Sequence, residues 1–353
     1  MSPAVGRDDF GPAEEAVLDF AHAREAVARH ARVTPLLLDR RLSDSAGREV
    51  WLKAEGLQPT GSFKVRGAAS RLEALDETQR RRGVVACSSG NHGRAVAYVA
   101  ARIGVPATVF VPEWVDPVKL RGIEAAGAVA MRQGESFDES EALAVQAALR
   151  EGRTYVSAYD DPWVIAGQGT LAAEAMMQWR EATGSAGSPA AFVVPLSGGG
   201  LIGGIAVALA AGRSEGADRS DGSDSGPLCL AASAERAAVM LASVRAGRPV
   251  ELPEEETLAN ALAGGIGLDN RHSFELVRSR VHRHATVTEE AIAAAMRYAV
   301  RRLRLVVEGG GAVALASLLS EAWADGDLPK GPLIVVLSGA NVAADVLAEV
   351  LRG

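Results

Sequence analysis

From residue 83 the chain keeps one rhythm, in which a short apolar run meets turn residues and then a stretch of helical period. "GVVACSS" leads into "HGRAVAYVAARIG", "ATVFVP" into "PVKLRGIEAAG", and "AVAMR" into "FDESEALAVQAALREG". A helix after each strand returns the chain to the edge it left, so successive strands lie parallel. The pattern predicts an α/β fold with helices flanking parallel sheets. It resumes in "AFVVPLSGGGLIGGIAVALAAG" and "LCLAASAERAAVMLASVRAG". It closes with "RLVVEGGGAVALASLLS" and "LIVVLSGANVAADVLAEVLRG", read as two further strand–turn–helix units. A length of 353 residues suits about two domains. The block 80–160 is compact enough to be a small domain, which leaves 1–79 and 161–353 for a large one.

Ahead of that rhythm, Ala16, Val17, Phe20, Ala23 and Val27 recur at helical spacing and predict an amphipathic helix over 13–30. Pro35 breaks any helix in "VTPLLL", and "EVWLKAE" reads as a short strand. The stretch "RSEGADRSDGSDSG", residues 213–226, has no apolar anchor and predicts a mobile surface loop.

Composition removes several classes of function. The formal charge is −7, the basic residues are scattered and few aromatics are present to stack on bases, which excludes nucleic acid as a partner. The acidic N-terminus lacks the apolar core of a signal peptide, and no uninterrupted run of about 18 apolar residues follows. The chain therefore reads as cytoplasmic, with no membrane partner. Cys87 and Cys229 form no metal-ligand spacing, so neither a disulfide framework nor a cysteine metal site is expected. His282 and His284, in "VHRHAT", would share a strand face but lack a third ligand, and are expected to be solvated.

Lysine is scarce, with four among 37 basic residues, and one stands in "SFKVRGAAS". A lysine can shed its proton and act as a nucleophile, which an arginine in a protein does not do. Lys64 is thus a candidate for covalent chemistry, against the alternative of a plain surface charge. It follows "PTGS", a turn whose Thr60 or Ser62 can cap the next helix, and a helix start disfavours a protonated amine. A second signal is "VVPLSGGGLIGGIAVALA", a strand, a glycine run and a helix start, built to hold a phosphate on exposed backbone amides. Gly198, Gly200 and Gly203 satisfy GxGxxG, but the acidic residue a dinucleotide site needs about 20 residues on is missing. Tight helix–sheet packing is the other reading of these glycines. An imine-forming lysine and a loop for one phosphate monoester together describe pyridoxal 5'-phosphate.

Six segments carry a resemblance: "KAEGLQPTGSFKVRGAA", "SSGNHGRAVAY", "DDPWVIAGQGTLAAE", "VVPLSGGGLIGGIA", "VVEGGGAVALA" and "VVLSGANV". In order and spacing they resemble the fold-type II pyridoxal phosphate enzymes of the threonine/serine dehydratase and serine racemase group, over about residues 33–343. The resemblance implies the two-domain α/β fold of the tryptophan synthase β type, with the large domain binding the cofactor. It implies that Lys64 forms the imine with the cofactor and is the base at the substrate α-carbon. It places Phe63 beside the ring, Asn91 on the ring hydroxyl, and Gly198, Gly199 and Gly200 on the phosphate. Ser197, Leu201 and Glu308 complete the cofactor set. Ser88, Ser89, Asn91 and His92 would receive the substrate carboxylate, and Ser338 would meet the pyridine nitrogen. A neutral hydroxyl there favours elimination over transamination. The implied reaction is loss of the β-hydroxyl from a threonine- or serine-type amino acid to give a 2-oxo acid and ammonia. Such enzymes are homo-oligomers, and a dimer is implied.

Three departures from the family pattern bear on substrate and metal. Ser197 stands where the phosphate loop usually has a fourth glycine, and Asn260 and Ala261 replace an Asp-Gly pair lining the active site. Ser233 and Val239 fall where metal-activated members carry carboxylates, so no divalent metal is expected. Alternative readings remain. "GGIGLDNR" and "VEGGGAV" resemble the hydroxyectoine-utilisation dehydratases; Ser89, catalytic in the family's racemases, leaves an amino-acid racemase open; and a catalytically silent cofactor-binding homologue is the third.

Overall fold

A computed structural model describes residues 18–88, 90–113, 115, 117–211, 226–324 and 326–353, without the side chains of 117–119. Ten strands run in chain order: β1 (Leu36–Leu38), β2 (Val50–Ala54), β3 (Val84–Cys87), β4 (Ala107–Val111), β5 (Val129–Arg132), β6 (Thr154–Tyr155), β7 (Ala191–Pro195), β8 (Leu228–Ala234), β9 (Arg283–Val287) and β10 (Leu333–Leu337). They form two sheets, one of six strands in the order β1-β2-β10-β7-β8-β9 and one of four in the order β5-β4-β3-β6. All neighbours are parallel except β1 and β2, as the strand–helix rhythm requires. The four strands of the second sheet all fall between Val84 and Tyr155.

The central strands of the larger sheet are buried on both faces, which explains their unbroken apolar runs. Along β10, Leu333, Val335 and Leu337 enter one core while Ile334 and Val336 enter the other. The helix Pro162–Thr183 opens on Asp161, whose side chain caps Val164 N–H, with proline at its first turn. Its Gly167 and Gly169 let the neighbouring helices Lys64–Glu73 and Gly200–Ala211 approach, since a Cβ at either would strike their backbone.

Several sequence expectations need correction. The first helix runs Phe20–His30, with Asp19 as its cap; residues 13–17 lie outside the described residues, as does the expected mobile loop except for Gly226. "RLVVE" forms no strand. It follows a π-helical turn that ends at Arg304 (φ 62°), and it runs past the end of β10, where Leu305 N–H turns back to the Ala299 carbonyl and Glu308 N–H donates to the Gly339 carbonyl. Of the two close histidines, His282 is exposed, and its Nδ1 accepts the Cys229 N–H. His284 is half-buried with its Nδ1 out of solvent, contrary to a solvated pair. No helix among the described residues is long and apolar enough to cross a membrane.

Candidate active site

Lys64 is the first residue of the helix Lys64–Glu73, and neither Thr60 nor Ser62 caps it. Thr60 Oγ1 turns to the Ser62 carbonyl (3.5 Å), and Ser62 Oγ is buried without a partner. The turn is held by backbone instead. Phe63 N–H donates to the Ser338 carbonyl (3.0 Å) and Ala340 N–H to the Gly61 carbonyl (2.8 Å), continuing β10 beyond its last paired residue. Lys64 Nζ donates to the Ala158 carbonyl at 2.7 Å and lies 5.2 Å from the centre of the Phe63 ring. Burial with no carboxylate beside it pulls the amine down to about 8 from 10.5. Desolvation, more than the helix start, is therefore what favours the neutral amine.

Facing it is the start of the helix Asn91–Ile103, where the first-turn amides lack intrahelical partners. Ser88 Oγ accepts Gly90 N–H (3.1 Å) and shapes the approach. Asn91 donates to Glu308 Oε1 (2.6 Å) and accepts from Asn341 Nδ2 (2.6 Å), which also donates to the Thr60 carbonyl. Arg94 Nη1 donates to Asn341 Oδ1 (3.2 Å). This chain of side chains ties the helix of the smaller sheet to the lysine turn and to β10. His92 is buried; its Nε2–H donates to the Val156 carbonyl (2.9 Å), leaving Nδ1 as an unpartnered lone pair. Burial and the Lys64 amine hold its imidazole down at about 3, so it is neutral. Ser89 lies outside the described residues.

The glycine run closes the third side. Gly199 has φ +85°, and a Cβ on it would come within 2.9 Å of Met240 and Val277. A Cβ on Gly198 would overlap the Tyr159 ring, and one on Gly200 would lie 2.6 Å from the Tyr159 carbonyl oxygen. Ser197 Oγ donates to the Leu262 carbonyl (2.9 Å). Leu201 follows in the first turn of the helix Gly200–Ala211. Asp160 steadies the surround by accepting the amides of Arg271, His272 and Ser273 at 2.8 Å, where the helix Ser273–Arg280 begins beneath Gly199.

One cavity of ≈ 810 Å³ collects every described residue of the expected site, from Phe63 and Lys64 through Ser88, Asn91 and His92 to the glycine turn, Glu308 and Ser338. Asn260 and Ala261 line it as well. Sequence reading missed Ala158, Tyr159, Arg94 and Asn341. The Ala158 contribution is a backbone oxygen, which leaves no sequence signal; Arg94 lies within "SSGNHGRAVAY" and Asn341 within "VVLSGANV". The residues fit pyridoxal phosphate: an amine neutral near pH 8, a backbone cradle that side chains would fill, and an apolar ring share one cavity. Among the described residues no group of three or more His, Cys, Asp or Glu could hold a metal.

Comparison with known proteins agrees with the chemistry of these residues. The model of the family "Pyridoxal-phosphate dependent enzyme" matches residues 27–339. An L-threonine ammonia-lyase of Thermotoga maritima is 33% identical over 334 residues, 95% of this chain and 77% of that one. Among solved structures, a T.th. threonine deaminase is 35% identical with a TM-score of 0.78, covering 93% of this chain and 98% of that one. Maize serine racemase is 28% identical with a TM-score of 0.81, covering 95% and 97%. A family match across most of its length, joined to a relative this similar over nearly the whole chain, shows that the chain belongs to the pyridoxal-phosphate dependent enzymes.

Proposed function

We propose that the chain is an ammonia-lyase that removes the β-hydroxyl of a threonine- or serine-type amino acid and releases a 2-oxo acid and ammonia. The observation that carries this reading is the Lys64 amine, desolvated to a pKa of about 8 and aimed by the Ala158 carbonyl into a cavity walled by an anion-receptive helix start. The relatives named as threonine ammonia-lyase and threonine deaminase support it.

Pyridoxal phosphate, when bound, supplies the electron sink that makes an α-proton removable. Gly198, Gly199, Gly200, Ser197 and Leu201 would hold its phosphate, Asn91 and Glu308 its ring hydroxyl side, Phe63 its face and Ser338 its nitrogen. Lys64 Nζ would carry the cofactor and then take the α-proton. The amides of Ser88, Ser89, Asn91 and His92 would hold the substrate carboxylate, with the neutral His92 adding no charge of its own. Ser338 is 5% exposed and presents a hydroxyl rather than a carboxylate, so it does not enforce a protonated ring nitrogen.

The reading extends to a large unit, 1–79 and 161–353, and a small unit, 80–160, on the ground that each carries its own sheet. It also takes the enzyme as a cytoplasmic homodimer without nucleic-acid or membrane partners, on family likeness and the acidic charge. The test is to follow ammonia and 2-oxo acid with L-serine, L-threonine, threo-3-hydroxyaspartate and hydroxyectoine. Product from a free hydroxy amino acid is expected. Turnover of hydroxyectoine alone would move the chain to that narrower branch. Racemisation without ammonia would replace the lyase reading.

A further inference from the structure

Tyr159 lies in none of the motifs that mark the site. It directly follows Ala158, whose carbonyl holds the Lys64 amine, so its Cα is about 3.8 Å from that of the residue that aims the base. Its ring lies on the glycine turn at Gly198, and its hydroxyl reaches beyond the turn to the Gly265 carbonyl. That contact is 3.5 Å long, against about 2.7–2.8 Å for a settled O–H···O bond. The phenol hydrogen is therefore weakly engaged, in a wall shared with Lys64 and Asn260. Burial, with Glu141, Asp160 and Asp138 nearby, pushes the phenol up and keeps its proton in place. Of the lining groups, His92 is neutral with its only N–H on Val156, Asn260 is an amide, and Lys64 is needed as the base.

We propose that Tyr159 is a catalytic residue whose phenol O–H protonates the departing β-oxygen of the substrate. The proposal rests on the elimination reading. Lys64 Nζ takes the α-proton, and the pair left on Cα forms a Cα=Cβ bond as the Cβ–O bond breaks. The pair of the broken bond stays on oxygen, which takes the Tyr159 proton and leaves as water. The phenolate then recovers a proton from the Lys64 ammonium, directly or through water, and both groups return to their starting state. Nothing is oxidised or reduced.

Tyr159→Phe deletes the hydroxyl and keeps the ring on the glycine turn. With the hydroxy substrate that the enzyme turns over, kcat should fall on the order of 10²-fold, the low end of general-acid contributions. With β-chloro-L-alanine, whose chloride departs without a proton, the initial rate should stay within about twofold. Affinity for pyridoxal phosphate, read by tryptophan fluorescence, should be unchanged. Equal losses on both substrates, or no loss on the hydroxy substrate, would overturn the assignment. The unaltered holoenzyme gives an independent reading: deuterated solvent should slow elimination of hydroxide more than elimination of chloride, and equal slowing overturns the assignment even where the variant does not fold. A wild-type enzyme that eliminates from neither substrate removes the lyase reading together with this one. A wild type that handles both, while the variant loses both alike, removes only the tyrosine.

Discussion

The Phe63 amide donates to the Ser338 carbonyl at 3.0 Å, so the turn that launches Lys64 and the end of β10 that presents Ser338 are one rigid piece. The two residues that would hold opposite ends of the cofactor are thereby fixed to each other by main chain. Gly61 sits in this piece at φ +76°, and a Cβ on it would strike the Asn341 carboxamide that supports Asn91. Gly61→Ala should therefore combine backbone strain of about 1 kcal/mol with displacement of Asn341. The expected result is a lower melting temperature and at least a roughly tenfold loss of cofactor affinity, about 1.4 kcal/mol. Both are read by thermal melting and cofactor titration, and unchanged affinity would detach Asn341 from the site.

Cofactor attachment should follow the protonation of Lys64. Burial lowers the amine to about 8, so the neutral, nucleophilic form is present above about pH 8 instead of above 10.5. The rate at which the apoprotein takes up pyridoxal phosphate should rise about tenfold per pH unit below 8 and level off above it. Borohydride reduction should then label Lys64, and Lys64→Ala should show no label and no ammonia release. A midpoint near 10 would mean that the amine is solvated.

Much of this was legible from local signals. The βα rhythm announced parallel sheets because a strand and its following helix are set by neighbouring residues, and Lys64 and the glycine run carried their chemistry in contiguous segments. The contacts that aim them were not legible. Ala158 serves Lys64 through a backbone oxygen, and Asn91 meets Asn341 and Glu308 only after the two sheets come together. "RLVVE" misled because an apolar extended run becomes a strand only where a neighbour offers a ladder, and among the described residues no strand pairs with it. Thr60 and Ser62 misled because the backbone of β10 had already taken the turn.

Behind the site, Arg66 is fully buried and forks onto Glu55 (2.8 Å to each oxygen) and Glu174 (2.9 and 3.0 Å), while Lys53 Nζ bonds Glu174 and the Thr34 carbonyl. Burial alone would raise Glu55, but the Arg66 guanidinium, together with the Thr34 hydroxyl and the Lys53 amine, outweighs it and holds the carboxyl below its usual range. A depressed carboxylate contributes stability that is present above its unfolded pKa and lost as pH falls through the folded value. Arg66→Met leaves the buried Glu55 and the half-buried Glu174 short of a partner and should cost about 3–5 kcal/mol at pH 7. The deficit should shrink toward pH 5 as Glu55 protonates, because the variant then no longer buries a bare charge. Paired thermal melts at the two pH values check this, and a deficit that grows on acidification would contradict it.

Divalent metals should not activate the enzyme. The two positions where carboxylates would be required are Ser233, whose hydroxyl is buried at 3.5 Å from the Leu196 carbonyl in β8, and Val239, buried at the start of the helix Val239–Ala246. A calcium or magnesium ion needs several oxygen ligands, carboxylates foremost, and a valine contributes none. Chelation followed by millimolar magnesium or calcium should therefore change kcat/KM and melting temperature less than about twofold and about 2 °C, respectively, since an ion that binds only the folded state must raise its stability. A clear rise in either would mean that backbone carbonyls around β8 supply ligands that the side chains do not.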